Sequence, residues 1–249
     1  MSQTTLSRRE LLEWLGTGAV LALGADLVAA CGNLSATAPP DGGFDAAGDA
    51  QPADTGTAFP FRPGEGRGGV FAQWGVRTVD AQDLTAILAS WQLRVDGLVE
   101  TPATFGFADL VGLPRQDQVT DFHCVEGWSV YDVPWNGVHL TRLFDRVEPT
   151  AQATHVVFHT VNGIYNESLP LDVALEPRTL LAYGVGEATI PFPHGFPLRV
   201  VIPRLLGYKN AKYVERIELA DHKVEGFWVQ NGYAYDGTVP ASRLREGKY

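Results

Sequence analysis

Between residues 91 and 97 apolar and polar side chains alternate, with Trp91, Leu93 and Val95 set against Gln92, Arg94 and Asp96, and Gly97 closes the run. That two-residue period predicts a half-buried strand ending in a turn. The stretch 155–161, HVVFHTV, is more continuously apolar and predicts a more deeply buried strand. Further strands are predicted over 118–122, 198–203 and 213–219, while 107–110, 140–147 and 171–175 carry short helical patterns. The strands stand far apart in sequence, with helices and long loops between them. There is no regular strand–helix repeat, no internal repeat and no glycine-rich dinucleotide fingerprint, so the fold class is α+β.

The pattern changes twice before residue 61. An apolar run over 15–30 follows the segment Ser7-Arg8-Arg9-Glu10-Leu11-Leu12. It contains Asp26 and is shorter than the roughly 20 apolar residues of a membrane-spanning helix. Basic start, short apolar stretch and small-residue end have the layout of a secretory signal. The paired arginines resemble the twin-arginine route, used by proteins exported already folded, often with cofactor inside. The alternative, an amphipathic helix of the mature domain, lacks a polar face over 15–30. Val28-Ala29-Ala30-Cys31 resembles a bacterial lipobox, whose cleavage leaves Cys31 as a lipidated N-terminus with a multi-chain lipid anchor. The other reading is an ordinary cleavage site beside a chance cysteine.

From 32 to 60 Ala, Gly, Pro, Ser and Thr dominate, and Asp41, Asp45, Asp49 and Asp54 are the only charges. So little apolar surface cannot offset the entropy of ordering, and a disordered acidic tether is expected. The predicted organisation is an export signal over 1–30, a tether over 31–60 and one folded domain over 61–249.

The formal charge is −10. The leader holds Arg8 and Arg9 against Glu10, Glu13 and Asp26, so its removal leaves −9. This acidic balance argues against nucleic acid as a partner. It leaves room for one positive pocket in a negative surface.

The chain has 2 cysteines, and Cys31 ends the export signal. Cys124 is therefore the sole thiol of the folded domain, and it is buried and inert, exposed and reactive, or bound to something. Its frame, DFHCVEGWSVYDVPWNGVHL, is polar and rich in aromatics, which favours the third option. A zinc site needs three or four protein ligands, and no second cysteine or close histidine pair completes one. His123 is adjacent, but neighbours on an extended backbone point to opposite faces. A metal held by one protein thiolate needs its other ligands from a cofactor.

The run Cys124-Val125-Glu126-Gly127-Trp128-Ser129, then Trp135-Asn136-Gly137-Val138, resembles the molybdenum-ligating segment of the sulfite-oxidase family of molybdopterin oxidoreductases. Glu167-Ser168-Leu169-Pro170-Leu171 is similar to that family's mid-domain segment. The stretch from His194 to Pro203, followed by Gly207-Tyr208-Lys209-Asn210-Ala211-Lys212, resembles its pterin-binding region, and Arg216-Ile217-Glu218-Leu219 its following strand. The resemblance runs in order from about Trp91 to Trp228 and covers most of the folded domain.

By this resemblance the cofactor is Mo-molybdopterin and Cys124 is the protein thiolate on molybdenum. His194, Arg199 and Lys212 match positions that bind the pterin and its phosphate, and a buried phosphate does need fixed cationic donors. Backbone N–H groups around Asn210 and Ala211 are candidates to add donors where the chain turns. Thr160 matches a position that contacts the cofactor in some members. Glu126 lies near the metal in relatives carrying Cys-Val-Glu; it either relays protons or hydrogen-bonds a backbone turn. Trp128 and Trp135 are expected to wall the pocket and exclude water. Tyr165, Tyr208, Tyr233 and His139 are candidates for the substrate funnel, and His159 is expected to be a satisfied core histidine.

The resemblance implies two-electron oxygen-atom transfer, as sulfite-like oxidation or as sulfoxide or N-oxide reduction of a small-molecule or sulfoxide substrate. The redox partner would be a haem protein or a quinone-linked membrane subunit, since the chain has no C-x-x-C-H haem motif. The implied location is periplasmic or extracytoplasmic. Animal and plant sulfite oxidases add an immunoglobulin-like dimerisation domain that this length does not hold. The bacterial reductases of protein methionine sulfoxide share the signal and Cys-Val-Glu. Their asparagine- and tyrosine-rich segment is replaced here by Phe71-Ala72-Gln73-Trp74-Gly75-Val76, and His194 stands where they have asparagine beside glycine. A non-catalytic binding protein on the same fold is the alternative, disfavoured by the joint presence of Cys124, Arg199 and Lys212. Thiol redox catalysis lacks a resolving cysteine.

Overall fold

A computed structural model describes residues 69–71, 74–76 and 91–249. The leader, the lipobox and the tether lie outside the described residues. The strands are β1 (Leu93–Gly97), β2 (Ala103–Phe105), β3 (Gln116–His123), β4 (Ser129–His139) and β5 (His155–Thr160). They continue with β6 (Asn166–Pro170), β7 (Leu180–Val185), β8 (Ala188–Thr189), β9 (Arg199–Val201) and β10 (Val214–Ala220). Four short helices intervene, α1 (Phe107–Val111), α2 (Thr141–Val147), α3 (Leu171–Ala174) and α4 (Phe227–Gln230). Among the described residues no helix is long and apolar enough to cross a membrane.

One sheet has the order β2-β1-β10-β5-β6, the other β3-β4-β7-β8 with β9 also pairing β7. Among the described strands only β1 and β10 pair in parallel, Arg94 opposite Arg216. The main core takes Leu93 and Val95 from β1, Phe158 from β5, Ile217 from β10 and Leu143 and Val147 from α2. Leu181 and Tyr183 of β7 join it, whereas Leu180, Ala182 and Val185 enter a second core with Trp74, Phe122, Val133 and Trp135. Residues 180–183 thus alternate between the two cores, Val185 lies past the register shift with β4, and each fully buried apolar side chain contributes about 1.5–3 kcal/mol. The α+β class stands, with mixed sheets and few short helices.

Five of the ten described strands, β2, β4, β6, β7 and β8, escape the hydrophobic pattern, and two of them show why. All six residues of β7 are buried, so its polar–apolar alternation is absent. In β4 the register with β3 shifts opposite Thr120 and Phe122, where β4 carries an extra residue at 131–132, and this breaks its period. A Cβ at Gly137 would lie 2.1 Å from the Leu181 carbonyl oxygen, so only glycine lets β7 approach there. The topology places two features side by side: the β3–β4 turn, which carries Cys124, and the start of β9, whose first residue is Arg199.

Candidate cofactor site

Cys124 sits in the turn between β3 and β4. Its N–H donates to the Trp128 carbonyl at 2.9 Å, and the Gly127 N–H donates to the Cys124 carbonyl at 3.2 Å. Gly127 takes φ +100°, a left-handed conformation that a Cβ would strain. Trp128 Nε1 donates to Glu126 Oε2 at 2.7 Å, and Cys124 Sγ lies 3.8 Å from the same oxygen. The thiol is half-buried and Glu126 is exposed. His123 is buried, with Nδ1 2.8 Å from Ser129 Oγ. Its ring is engaged by that hydroxyl.

The second feature is a cluster of cations. His194 ends the 3-10 turn Phe192–His194, Arg199 opens β9, and Lys212 faces Arg199 across an isolated β-bridge. Arg199 Nη1 donates to the His194 carbonyl at 2.8 Å, with a longer contact of 3.5 Å from Nη2 to the Asn210 carbonyl. Its guanidinium carbon lies 5.2, 5.4 and 5.5 Å from the ring centres of Trp135, Phe122 and Trp74. The His194 ring packs on Phe71 and Trp74, with centres 4.6 and 5.2 Å apart. Lys212 Nζ donates to the Pro193 carbonyl at 3.0 Å.

Burial, then the charges of Arg199 and Lys212, push His194 down to about 4. Burial, then Arg199, pushes Lys212 down to about 7, and burial takes Arg199 to about 10. No carboxylate among the described residues contributes to any of these three shifts. Aromatic faces return about 2 kcal/mol to a desolvated cation, less than the several kcal/mol its burial costs. An anion would complement this cluster.

Phe122 joins the two features. It lies on β3, two residues before Cys124. Its ring centre is 5.4 Å from the Arg199 guanidinium and 5.9 Å from that of Trp128. Thiol turn and cationic cluster therefore share one aromatic wall. Among the described residues no three His, Cys, Asp or Glu side chains gather to hold a metal ion by themselves.

Residues 79–228 match the family described as the oxidoreductase molybdopterin binding domain. The chain belongs to this family of molybdopterin oxidoreductases. It is 37% identical over 150 residues to an uncharacterized oxidoreductase, YuiH, of Bacillus subtilis (strain 168), covering 60% of this chain and 75% of that one. It is 34% identical over 177 residues to the protein-methionine-sulfoxide reductase catalytic subunit MsrP of Gluconobacter oxydans (strain 621H), covering 64% of this chain and 56% of that one. A putative protein-methionine-sulfoxide reductase subunit, YedZ1, of Azospira oryzae (strain ATCC BAA-33 / DSM 13638 / PS) is 36% identical over 162 residues, covering 65% of this chain and 58% of the relative. The chain thus spans little more than half the length of these two reductases. The sulfane dehydrogenase SoxCD of Paracoccus pantotrophus superposes with a TM-score of 0.51 at 22% identity, over 61% of this chain and 41% of that one, a likeness of fold.

Molybdopterin is the cofactor of this family, and its phosphate fits the cluster found here. Arg199 Nε and Trp135 Nε1 are buried donors with no hydrogen-bond partner among the described residues. Both belong to the cage around the guanidinium, where an anionic ligand would reach them.

The other family-matched residues divide. Thr160 ends β5, but its hydroxyl donates to the Tyr165 carbonyl at 2.8 Å. Asn210 serves the fold: Oδ1 accepts from the Ile202 N–H at 2.7 Å, Nδ2 reaches the Leu205 and Leu206 carbonyls, and its own N–H donates to Gly207 at 3.0 Å. An offered Asn210 N–H is thus already engaged by its own turn. Ala211 is buried, and its carbonyl accepts from the Val200 N–H at 2.8 Å. Trp135 lies beneath Arg199 rather than at a solvent-facing wall, with 1% of its surface exposed.

Of the funnel candidates, Tyr165 packs on Phe227 at 6.0 Å, and Tyr233 packs on Tyr208 and Trp228 at 5.1 and 5.0 Å. His139 sits elsewhere, bonded to Thr141 Oγ1 and to the Glu176 carbonyl. His159 is satisfied by Glu218 Oε2 at 2.8 Å.

Sequence reasoning missed Lys209 and Arg243. Lys209 Nζ lies 2.6 Å from Glu167 Oε1, both side chains almost wholly buried. The signal was present in two blocks that each carry one member of the pair. Arg243 donates to the Cys124 carbonyl at 3.0 Å and to the Trp128 carbonyl at 2.6 Å, and it lies outside every motif.

Proposed function

We propose that this oxidoreductase is exported by the twin-arginine route and that Cys124 is the protein's thiolate ligand to molybdenum. One observation carries the ligand assignment: the thiol turn and the cationic cluster share the Phe122 wall, so one cofactor spans both. Arg199, Lys212 and His194 would hold its phosphate, the first by a planar fork and the second by a point charge. When bound, the cofactor supplies two-electron oxygen-atom transfer.

The chain's own residues do the rest. Trp128 Nε1 fixes the Glu126 carboxylate beside the thiol, where Oε2 is poised to hold or hand on a proton. Phe122 and Trp128 keep water from the thiol's inner side. Substrate reaches the turn from the exposed Glu126 face. A sulfoxide is the favoured substrate, supported by the reductase names of two relatives. Those relatives are also named as subunits, which supports electron delivery by a separate partner, a haem protein or a quinone-linked membrane subunit. A lipid anchor at Cys31 would hold the domain near such a partner.

Elemental analysis of the purified protein is expected to give stoichiometric molybdenum. Cys124→Ala is expected to lose the thiolate-to-metal absorption while unfolding at nearly the wild-type temperature. Retention of that absorption would refute the ligand assignment. Sulfoxides, N-oxides and sulfite assayed with artificial electron carriers decide the substrate. Cys31→Ala is expected to release the protein from membranes, and an unchanged distribution would exclude the anchor.

A further inference from the structure

The segment after α4 touches the thiol turn and the stretch that leads into the cationic cluster. Tyr208 Oη donates to the Ala234 carbonyl at 2.6 Å, Leu206 N–H to Gly237 at 2.7 Å, and Val239 N–H to Arg204 at 2.9 Å. This strap therefore lies along 204–208, the stretch that leads into Lys212. It then crosses to the β3–β4 hairpin. There Arg243 Nη1 donates to the Cys124 carbonyl at 3.0 Å, and Nη2 donates to the Trp128 carbonyl at 2.6 Å and Ser129 Oγ at 3.0 Å.

Arg245 and Lys248 fasten the strap to the strands beside the turn. Arg245 Nε donates to Asp121 Oδ2 at 2.6 Å, Nη2 reaches Asp132 at 3.0 Å, and Lys248 Nζ lies 2.7 Å from Asp132 Oδ1. The Asp121 N–H donates to the Lys248 carbonyl, and Asp121 Oδ1 accepts the Asp132 N–H at 3.0 Å. Asp132 has φ +54°, so this hydrogen bond holds a backbone bend that an aspartate tolerates better than most residues.

We propose that Arg243 is the positioning residue for Cys124, holding the two ends of the thiol turn with one guanidinium. The inference rests on the reading of Cys124 as the metal's ligand. The β3–β4 ladder stops at the His123–Ser129 pair, so the residues between have no sheet partner in the hairpin. Among the described residues two backbone hydrogen bonds close the turn from within, and Arg243 adds three from outside. A planar fork can serve the carbonyls at both ends at once, whereas an ammonium offers a single point of charge. The strap lies beyond residues 79–228, so the family match does not include this device.

The test uses the full chain as purified. In Arg243→Gln, amide exchange over 124–129 is expected to rise roughly tenfold while β5 and β10 keep their protection. The paramagnetic resonance signature of the molybdenum should shift, because it reports the orientation of the ligating sulfur, and Arg243→Lys should recover part of both changes. Exchange within about twofold of wild type, or an unchanged resonance, overturns the proposal. If Arg243→Gln does not fold, Ser129→Ala removes one of the three contacts and should raise exchange about threefold; no rise is equally decisive. The exchange result stands whatever Cys124 binds, whereas molybdenum retained by Cys124→Ala would sink the ligand reading alone.

Discussion

Lys209 and Arg199 lie ten residues apart, and 1% and 2% of their surfaces are exposed, yet their surroundings are opposite in kind. Lys209 Nζ meets Glu167 Oε1 at 2.6 Å and the Ser168 carbonyl at 3.0 Å, with the Tyr235 ring centre 4.4 Å away. Burial pushes both partners toward neutrality, Glu167 up and Lys209 down, and their mutual attraction opposes it. Arg199 has rings and carbonyls around it, and no carboxylate among the described residues. The fold supplies a counter-charge where the cation serves the structure. Where the cation belongs to the proposed phosphate site, the counter-charge is left to the ligand.

The sharpest way to break this contrast is to remove each compensation in turn. Glu167→Leu strands the Lys209 ammonium and is expected to cost about 3–5 kcal/mol in urea unfolding, most of it recovered by adding Lys209→Met. If the single substitution were harmless, Lys209 would need no acid and the comparison would fail. Arg199→Met should behave the other way. The cofactor-free protein should stay within about 1 kcal/mol of wild type, because an uncompensated charge leaves with the side chain, while molybdenum content falls roughly tenfold or more. A loss of stability as large as that of Glu167→Leu would make Arg199 a structural cation.

The smallest expected effect is a change of slope with pH. Lys212 in the cofactor-free fold titrates near 7 against an ordinary 10.5. Between those values the unfolded chain holds a proton that the folded chain has shed, so stability rises with pH across the window and falls as pH drops toward 7. Lys212→Met should flatten that slope when unfolding is followed at both ends of the window. Bound cofactor should flatten it too, since an anion restores the proton.

Much of this site could be seen in the chain, and the reasons differ from residue to residue. Cys124 stood out because thiols are scarce. His194, Arg199 and Lys212 came from motif blocks, and the structure brings them together around one cage. What stayed hidden is pairwise and distant. Glu167 and Lys209 are 42 residues apart, and Arg243 is 119 from Cys124. No local period records such a meeting. Asn210 shows the converse, a motif residue whose polar groups hold its own turn together. The strands β4 and β7 were obscured by a register shift and by burial on both faces, the two circumstances in which a period of two disappears.

The parallel pairing of β1 with β10 has a consequence for the order in which the molecule is made. Asp96 and Arg216 are bonded across 120 positions of sequence. A growing chain leaves β1 waiting for its neighbour until 214–220 has emerged, and by then Cys124, His194, Arg199 and Lys212 have all emerged too. Such long-range closure is slow compared with local pairing, and domains consolidate as units. The β1–β10 seam therefore cannot close until every one of these four residues has been made.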